Sequence, residues 1–157
     1  MMKKFFAVLF LCLFILSAAY TAAAAMSATE FINLCKSGVP HEIEAAIKAG
    51  ADVKAKNHSD VRDVTILMWV ASDGSPEVIA ALIKAGVDVN AKDEYGKTAL
   101  MYAAERNRNP EVITVLFKTG ADVKARDNDG KRAVDYASEN EGIKGEKAYQ
   151  ELSDASK

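Results

Sequence analysis

The chain has 157 residues with 20 basic and 22 acidic side chains, a formal charge of −2, two histidines and two cysteines. A chain this short and mildly acidic gives no reason to expect nucleic acid as a partner, and its length suits one compact domain or a few stacked repeats rather than two globular domains. Histidine and cysteine are so sparse that little is left from which to assemble a nucleophile, a base or a metal set.

Lys3 and Lys4 are followed by an uncharged apolar run from Phe5 to Leu16 and by small residues through Ala25. A basic start, an apolar stretch and a small-residue pattern over Ala22 to Ala25 predict a secretory signal peptide at residues 1–25, cut just before or after Ala25. The uncharged stretch from Phe5 to Met26 could also reach the roughly 20 residues of a membrane span if it stayed uncleaved, although its second half is Ala and Thr rather than Leu or Ile. Cys12 follows Phe10 and Leu11, without the small residue that lipid attachment would need. Cleavage removes two lysines and leaves 18 basic against 22 acidic residues, a charge of −4. Cys35 is then the single cysteine, so no internal disulfide forms and stability must come from packing. The expected location is periplasmic or secreted, with a membrane-tethered form as the alternative.

The rest of the chain repeats itself. Ala49-Gly50-Ala51-Asp52-Val53 returns as Ala85-Gly86-Val87-Asp88-Val89 and as Thr119-Gly120-Ala121-Asp122-Val123, with the glycines 36 and then 34 residues apart. Thr65-Ile66-Leu67-Met68-Trp69-Val70-Ala71 returns 33 residues later as Thr98-Ala99-Leu100-Met101-Tyr102-Ala103-Ala104, and more weakly from Arg132 to Ser138. Pro40, Pro76 and Pro110 each stand ten residues before one of those glycines. Each proline opens a predicted helix, with Ser75 or Asn109 placed to accept from its first amides and the glycine supplying the left-handed residue that ends it. Ile79, Leu82 and Ile83 form one apolar stripe at helical spacing. The blocks from Thr65 and Thr98 predict shorter helices. Asp93-Glu94-Tyr95-Gly96 and Asp127-Asn128-Asp129-Gly130 have the Asp-first, Gly-fourth pattern of type I turns and predict the tips of hairpin fingers.

In this order of turn finger, T-x-L-x-x-A-A block, second helix and G-A-D-V segment, the chain resembles the ankyrin-repeat family from about Thr29 to Asn140. The resemblance implies an all-α solenoid of about four helix-turn-helix repeats with short β-hairpin fingers, preceded by the signal peptide. Repeats are expected at 27–59, 60–92 and 93–126, with 127–140 as a C-terminal cap, and the tail 141–157 can add a final helix through Ala148, Tyr149 and Leu152. The pattern departs from the family at Ala99 and Met101, and at Ile66 and Met68, where Pro and His are common. Losing the His removes a hydrogen bond between neighbouring turns. Terminal repeats differ because each shields an apolar face from water.

Chemistry finds little support. No paired histidines, Cys-x-x-Cys or glycine-rich phosphate loop is present, so no cofactor, metal or catalytic group is expected. Setting Gly130 at the sixth position of a calcium loop puts Ala125 first and Tyr136 last, and neither supplies the required carboxylate. Cys35 occupies the place of Ala71 and Ala104 and reads as a buried, inert thiol. His41 reads as a surface residue. Asn57-His58-Ser59 fits the glycosylation pattern by chance.

The function implied by the resemblance is non-catalytic binding of a partner protein through finger tips and concave face, by a chain monomeric on its own and free of the membrane once the signal is removed. An inhibitor or immunity-type protein that blocks a cognate exported enzyme is the alternative. The repeat register places Trp69, Tyr102 and Tyr136 at one equivalent position, with Asn33 as their counterpart, and these rings either contact the partner or pack between repeats. One helical step further lie Ser72 and Asp73, Glu105 and Arg106, then Glu139 and Asn140. The fingers carry Arg62 and Asp63, then Glu94, Tyr95 and Lys97, then Asn128, Asp129 and Lys131. Tyr95 at a turn tip is the strongest candidate anchor, because it has little core to join. The first finger, Asn57 to Val64, is three residues longer than the next, and insertions of this kind go to loops. N-terminal sequencing of the exported protein is expected to begin at Ala25 or Met26; a start at Met1 would show an uncleaved anchor.

Overall fold

The structure, a computed structural model, describes residues 26–54 and 63–157. The signal peptide expected over 1–25, and the part of the first finger that carries Asn57, His58 and Arg62, lie outside the described residues. The described residues form α1 (Ala28–Ser37), α2 (Pro40–Lys48), α3 (Ile66–Asp73), α4 (Pro76–Lys84), α5 (Ala99–Arg106), α6 (Pro110–Lys118), α7 (Ala133–Ala137) and α8 (Lys147–Ala155).

The helix ends follow from local chemistry. Pro40, Pro76 and Pro110 open α2, α4 and α6 at positions whose amides have no partner within the helix. After each helix a glycine turns left-handed, with φ of 96° at Gly50, 89° at Gly86 and 95° at Gly120. The amides of Ala51, Val87 and Ala121 then return to the carbonyls of Ala46, Leu82 and Leu116 at 3.0, 3.4 and 3.0 Å, which closes the last turn. Thr65 and Thr98 cap α3 and α5 by accepting from the amides of Met68 and Met101 at 3.3 and 3.4 Å. Of the two expected proline-helix caps, Asn109 accepts from the Glu111 amide at 3.0 Å, whereas Ser75 makes no cap bond.

Packing is in two layers. The first helices α1, α3, α5 and α7 stack on one another, and the second helices α2, α4, α6 and finally α8 stack behind them. Leu67, Ile79, Leu82, Leu100, Ile113 and Leu116 are fully buried between the layers. Met68 and Met101, at the positions where the resemblance leads one to expect histidine, are core residues too. The tail helix α8 buries Ala148 and Leu152 against α6 and α7, and Arg132 Nη1 donates to the Ser156 carbonyl at 2.8 Å. It thereby shields the last apolar face from water. Cys35 is fully buried, and burial pushes its thiol up to about 12, so at neutral pH it stays protonated and unreactive.

The fingers differ from the expected β-hairpins, because no strand forms among the described residues. Asp93 and Lys97 make a single facing pair, with the Asp93 amide donating to the Lys97 carbonyl at 3.0 Å. The Asp93 side chain instead takes the amides of Tyr95 and Lys97, at 2.9 and 2.8 Å, that a longer ladder would use.

Asparagines join neighbouring repeats. Asn107 Nδ2 donates back to the Ala71 and Gly74 carbonyls at 3.0 and 3.1 Å, and 33 residues later Asn140 Nδ2 donates to the Ala104 and Asn107 carbonyls at 3.0 and 2.8 Å. Asn90 Oδ1 accepts from the Asp122 amide at 2.8 Å while its Nδ2 donates to the Gly120 carbonyl at 3.0 Å. Asn140, expected on the partner-facing side, is therefore committed to the interior of the stack. Because Asn107 is buried, Asn107→Ala strands two carbonyls and is expected to cost about 2–3 kcal/mol. Urea unfolding checks this as a lower midpoint at unchanged slope.

Candidate protein-binding surface

Each finger is built around one buried aspartate. Asp93 accepts the Tyr95 and Lys97 amides on Oδ1, and its Oδ2 accepts the Tyr102 hydroxyl at 2.7 Å. One repeat later, Asp127 Oδ1 takes the amides of Asp129 and Lys131 at 3.0 and 2.9 Å, and Oδ2 takes the Tyr136 hydroxyl at 2.5 Å. The carboxylate thus folds its own turn and ties it to the first helix behind it. Burial would raise the Asp127 carboxyl, but the Tyr136 hydroxyl, the Lys131 and Asp129 amides and the Lys97 charge outweigh it and hold the group below its ordinary value. Burial and the adjoining Asp127 push the Tyr136 hydroxyl upward, so it remains a donor.

These bonds change the roles of two expected contact residues. Tyr102 and Tyr136 are 5% and 7% exposed, and their hydroxyls are used inside the protein, so they act first as posts that hold the fingers. Trp69, at the same register, is half-buried and has no hydroxyl; its buried indole Nε1 has no hydrogen-bond partner among the described residues, and Lys36 Nζ lies 4.4 Å from the ring centroid. The ring ladder is therefore mainly packing at its two later rungs.

Fingers two and three lie against one another. The Asn128 amide donates to the Tyr95 carbonyl at 2.9 Å, Asn128 Nδ2 donates to the Glu94 carbonyl at 2.9 Å, and Lys92 Nζ reaches the Arg126 carbonyl at 2.9 Å. Gly96 has φ 75°, and a Cβ there would come within 2.7 Å of Asn128 Oδ1, so glycine is required both by conformation and by the neighbouring finger. In the first finger Asp63 occupies the equivalent position with φ 56°, a conformation aspartate tolerates better than most residues.

Behind the tips lies a hollow of about 400 Å³ lined by Tyr95, Lys97, Tyr102, Glu105, Arg106, Asp127, Asn128, Asp129, Lys131 and Tyr136. It gathers nine of the twelve expected contact residues; Trp69, Asp73 and Glu94 do not line it. Lys97 Nζ pairs with Glu105 at 3.1 Å and stands 4.3 Å from the Tyr136 ring centroid and 5.7 Å from that of Tyr102. Lys131 Nζ lies 5.2 Å from the Tyr136 centroid and 3.8 Å from Glu139. Arg106 Nε lies 3.5 Å from Glu105. Asp73 is exposed at the far end of α3, beside Arg106 and Arg108 in a second open hollow. Tyr95 is 54% exposed at its tip.

The paired helices, the asparagine bridges and the fingers recur at one interval, and a family model described as ankyrin repeats in three copies matches residues 31–127. The chain belongs to the ankyrin-repeat family. Comparison with curated proteins finds no match. Ankyrin repeats are generally protein–protein interaction modules and typically non-catalytic. Among the described residues no group of His, Cys, Asp and Glu is placed to hold a metal ion, and no helix is long and apolar enough to cross a membrane.

Asparagines 107 and 140 and the second oxygens of Asp93 and Asp127 were not singled out from the sequence for these roles. Their signal is the 33- to 34-residue interval, which returns Asn107 as Asn140 and Asp93 as Asp127. Because the folded-state value of Asp127 is depressed, its contribution to stability is fully present above the unfolded value of 3.8 and is lost as pH falls through the lower folded value. Tyr136→Phe removes one of the depressing bonds. The variant's third finger is therefore expected to open at higher pH than that of the parent, read as faster hydrogen exchange of the Asp129 and Lys131 amides during acid titration.

Proposed function

We propose that this ankyrin-repeat chain is an exported, non-catalytic module that holds a partner protein across its second and third fingers and the hollow behind them. The observation that carries this reading is the pairing of rigidity with exposure. Two turns are locked by buried Asp–Tyr bonds and by Asn128, yet they present Tyr95, Glu94 and Asp129 to solvent. A side chain fixed before binding loses little entropy on contact, and an amphipathic ring at such a site is a favourable anchor. Export rests on the basic, apolar and small-residue order of residues 1–25, and a periplasmic or secreted location follows from it.

A photo-reactive group placed at Tyr95 in the native exported fraction is expected to label one protein stoichiometrically. The same group at Lys118, exposed on the second-helix layer, is expected to label none. In titrations with that protein, Tyr95→Ala combined with Trp69→Ala should weaken binding by about tenfold or more. Equal labelling from both positions, or unchanged affinity in the double variant, would place the binding face elsewhere.

A further inference from the structure

The charges on this face are unequally committed. The three cations of the hollow share two carboxylates: Lys97 pairs with Glu105, Arg106 approaches the same Glu105, and Lys131 faces Glu139. Lys97 and Lys131 are further held over the Tyr136 ring. Glu94 and Asp129, both exposed, make no ion pair among the described residues. Asn128 bonds to the carbonyls of Glu94 and Tyr95, so these two carboxylates and the exposed Tyr95 ring stand on adjoining tips. Arg108 and Asp73 lie in the separate hollow at the other end of the first helices. The remaining cations of these fingers turn to backbone, Lys92 Nζ to the Arg126 carbonyl and Arg126 Nη1 to the Gly130 carbonyl at 2.9 and 2.7 Å. Tips whose cations are engaged within the protein while their carboxylates stand open beside an aromatic face are complementary to positive charge, and a guanidinium or ammonium gains further from lying over the ring.

We infer that the partner presents a cationic segment to the second and third finger tips, with an arginine or lysine over Tyr95 and within reach of Glu94 and Asp129. This rests on the binding face proposed above and adds the partner's chemistry to it. The rim carboxylates steer the encounter, so association weakens as salt rises.

The test titrates fluorescent peptides randomised about a fixed arginine into the full chain, alongside the same peptides carrying neutral citrulline or glutamate at that position. The arginine set is expected to bind about tenfold tighter than the citrulline set. Its advantage should disappear in Glu94→Gln/Asp129→Asn, and Tyr95→Ala should weaken it further; circular dichroism verifies that these surface variants fold. Equal binding of the arginine and citrulline sets, a preference for glutamate, or an advantage that survives Glu94→Gln/Asp129→Asn overturns the inference. A protein that cross-links from Tyr95 but binds Glu94→Gln/Asp129→Asn as well as the parent would keep the binding face and remove its cationic partner, whereas no cross-link at all would remove both.

Discussion

Buried carboxylates at the base of the fingers hold the exposed tips in place. An isolated turn of five residues has no core, and its amides would otherwise exchange with water. Asp93 and Asp127 solve this by accepting two amides from their own turn and one phenol from the helix behind. Such a group is costly to bury unless it is hydrogen-bonded, and the three donors reach both of its oxygens. The exposed tip of the finger is thus as well specified as the core beneath it, which is unusual for a connection between helices.

Much of this architecture could be read directly from the chain. Proline and glycine mark opposite ends of α2, α4 and α6 because each suits a backbone conformation that other residues adopt less readily, and Thr65 and Thr98 announce α3 and α5 by the same kind of local chemistry. The turns were legible as Asp-first, Gly-fourth tetrads. What local chemistry could not reveal was the destination of side chains with two uses. A tyrosine on a first helix is equally suited to a groove or to a buried hydrogen bond, and only the distance from Tyr102 to Asp93 decides. The expectation of β-hairpins failed for a related reason, since the aspartate intercepts the amides from which a strand pair would grow.

The exposed candidates divide along the same line. Tyr95, Glu94 and Asp129 remain available because their neighbours in the turn, Asp93 and Asp127, perform the structural work. Lys97 and Lys131, although placed in the same hollow, are drawn inward by Glu105, Glu139 and the Tyr136 ring. Proximity to a groove is therefore a weaker guide to recognition than the state of each group's existing bonds.

The asparagine bridges at the ends of the first helices run one way. Asn107 and Asn140 each reach back toward the preceding repeat, donating to carbonyls there, so the later repeat supplies the side chain and the earlier one supplies only backbone. Gly74 stands one repeat before Asn107, and as an acceptor it needs no side chain of its own. The same junction is also crossed in the other direction, since Asn90 gives its side chain to the Asp122 amide and the Gly120 carbonyl of the repeat that follows. Each bridge therefore needs an asparagine on one side only, and the unit it meets is received through backbone that any sequence possesses, which leaves that unit's own side chains free to drift.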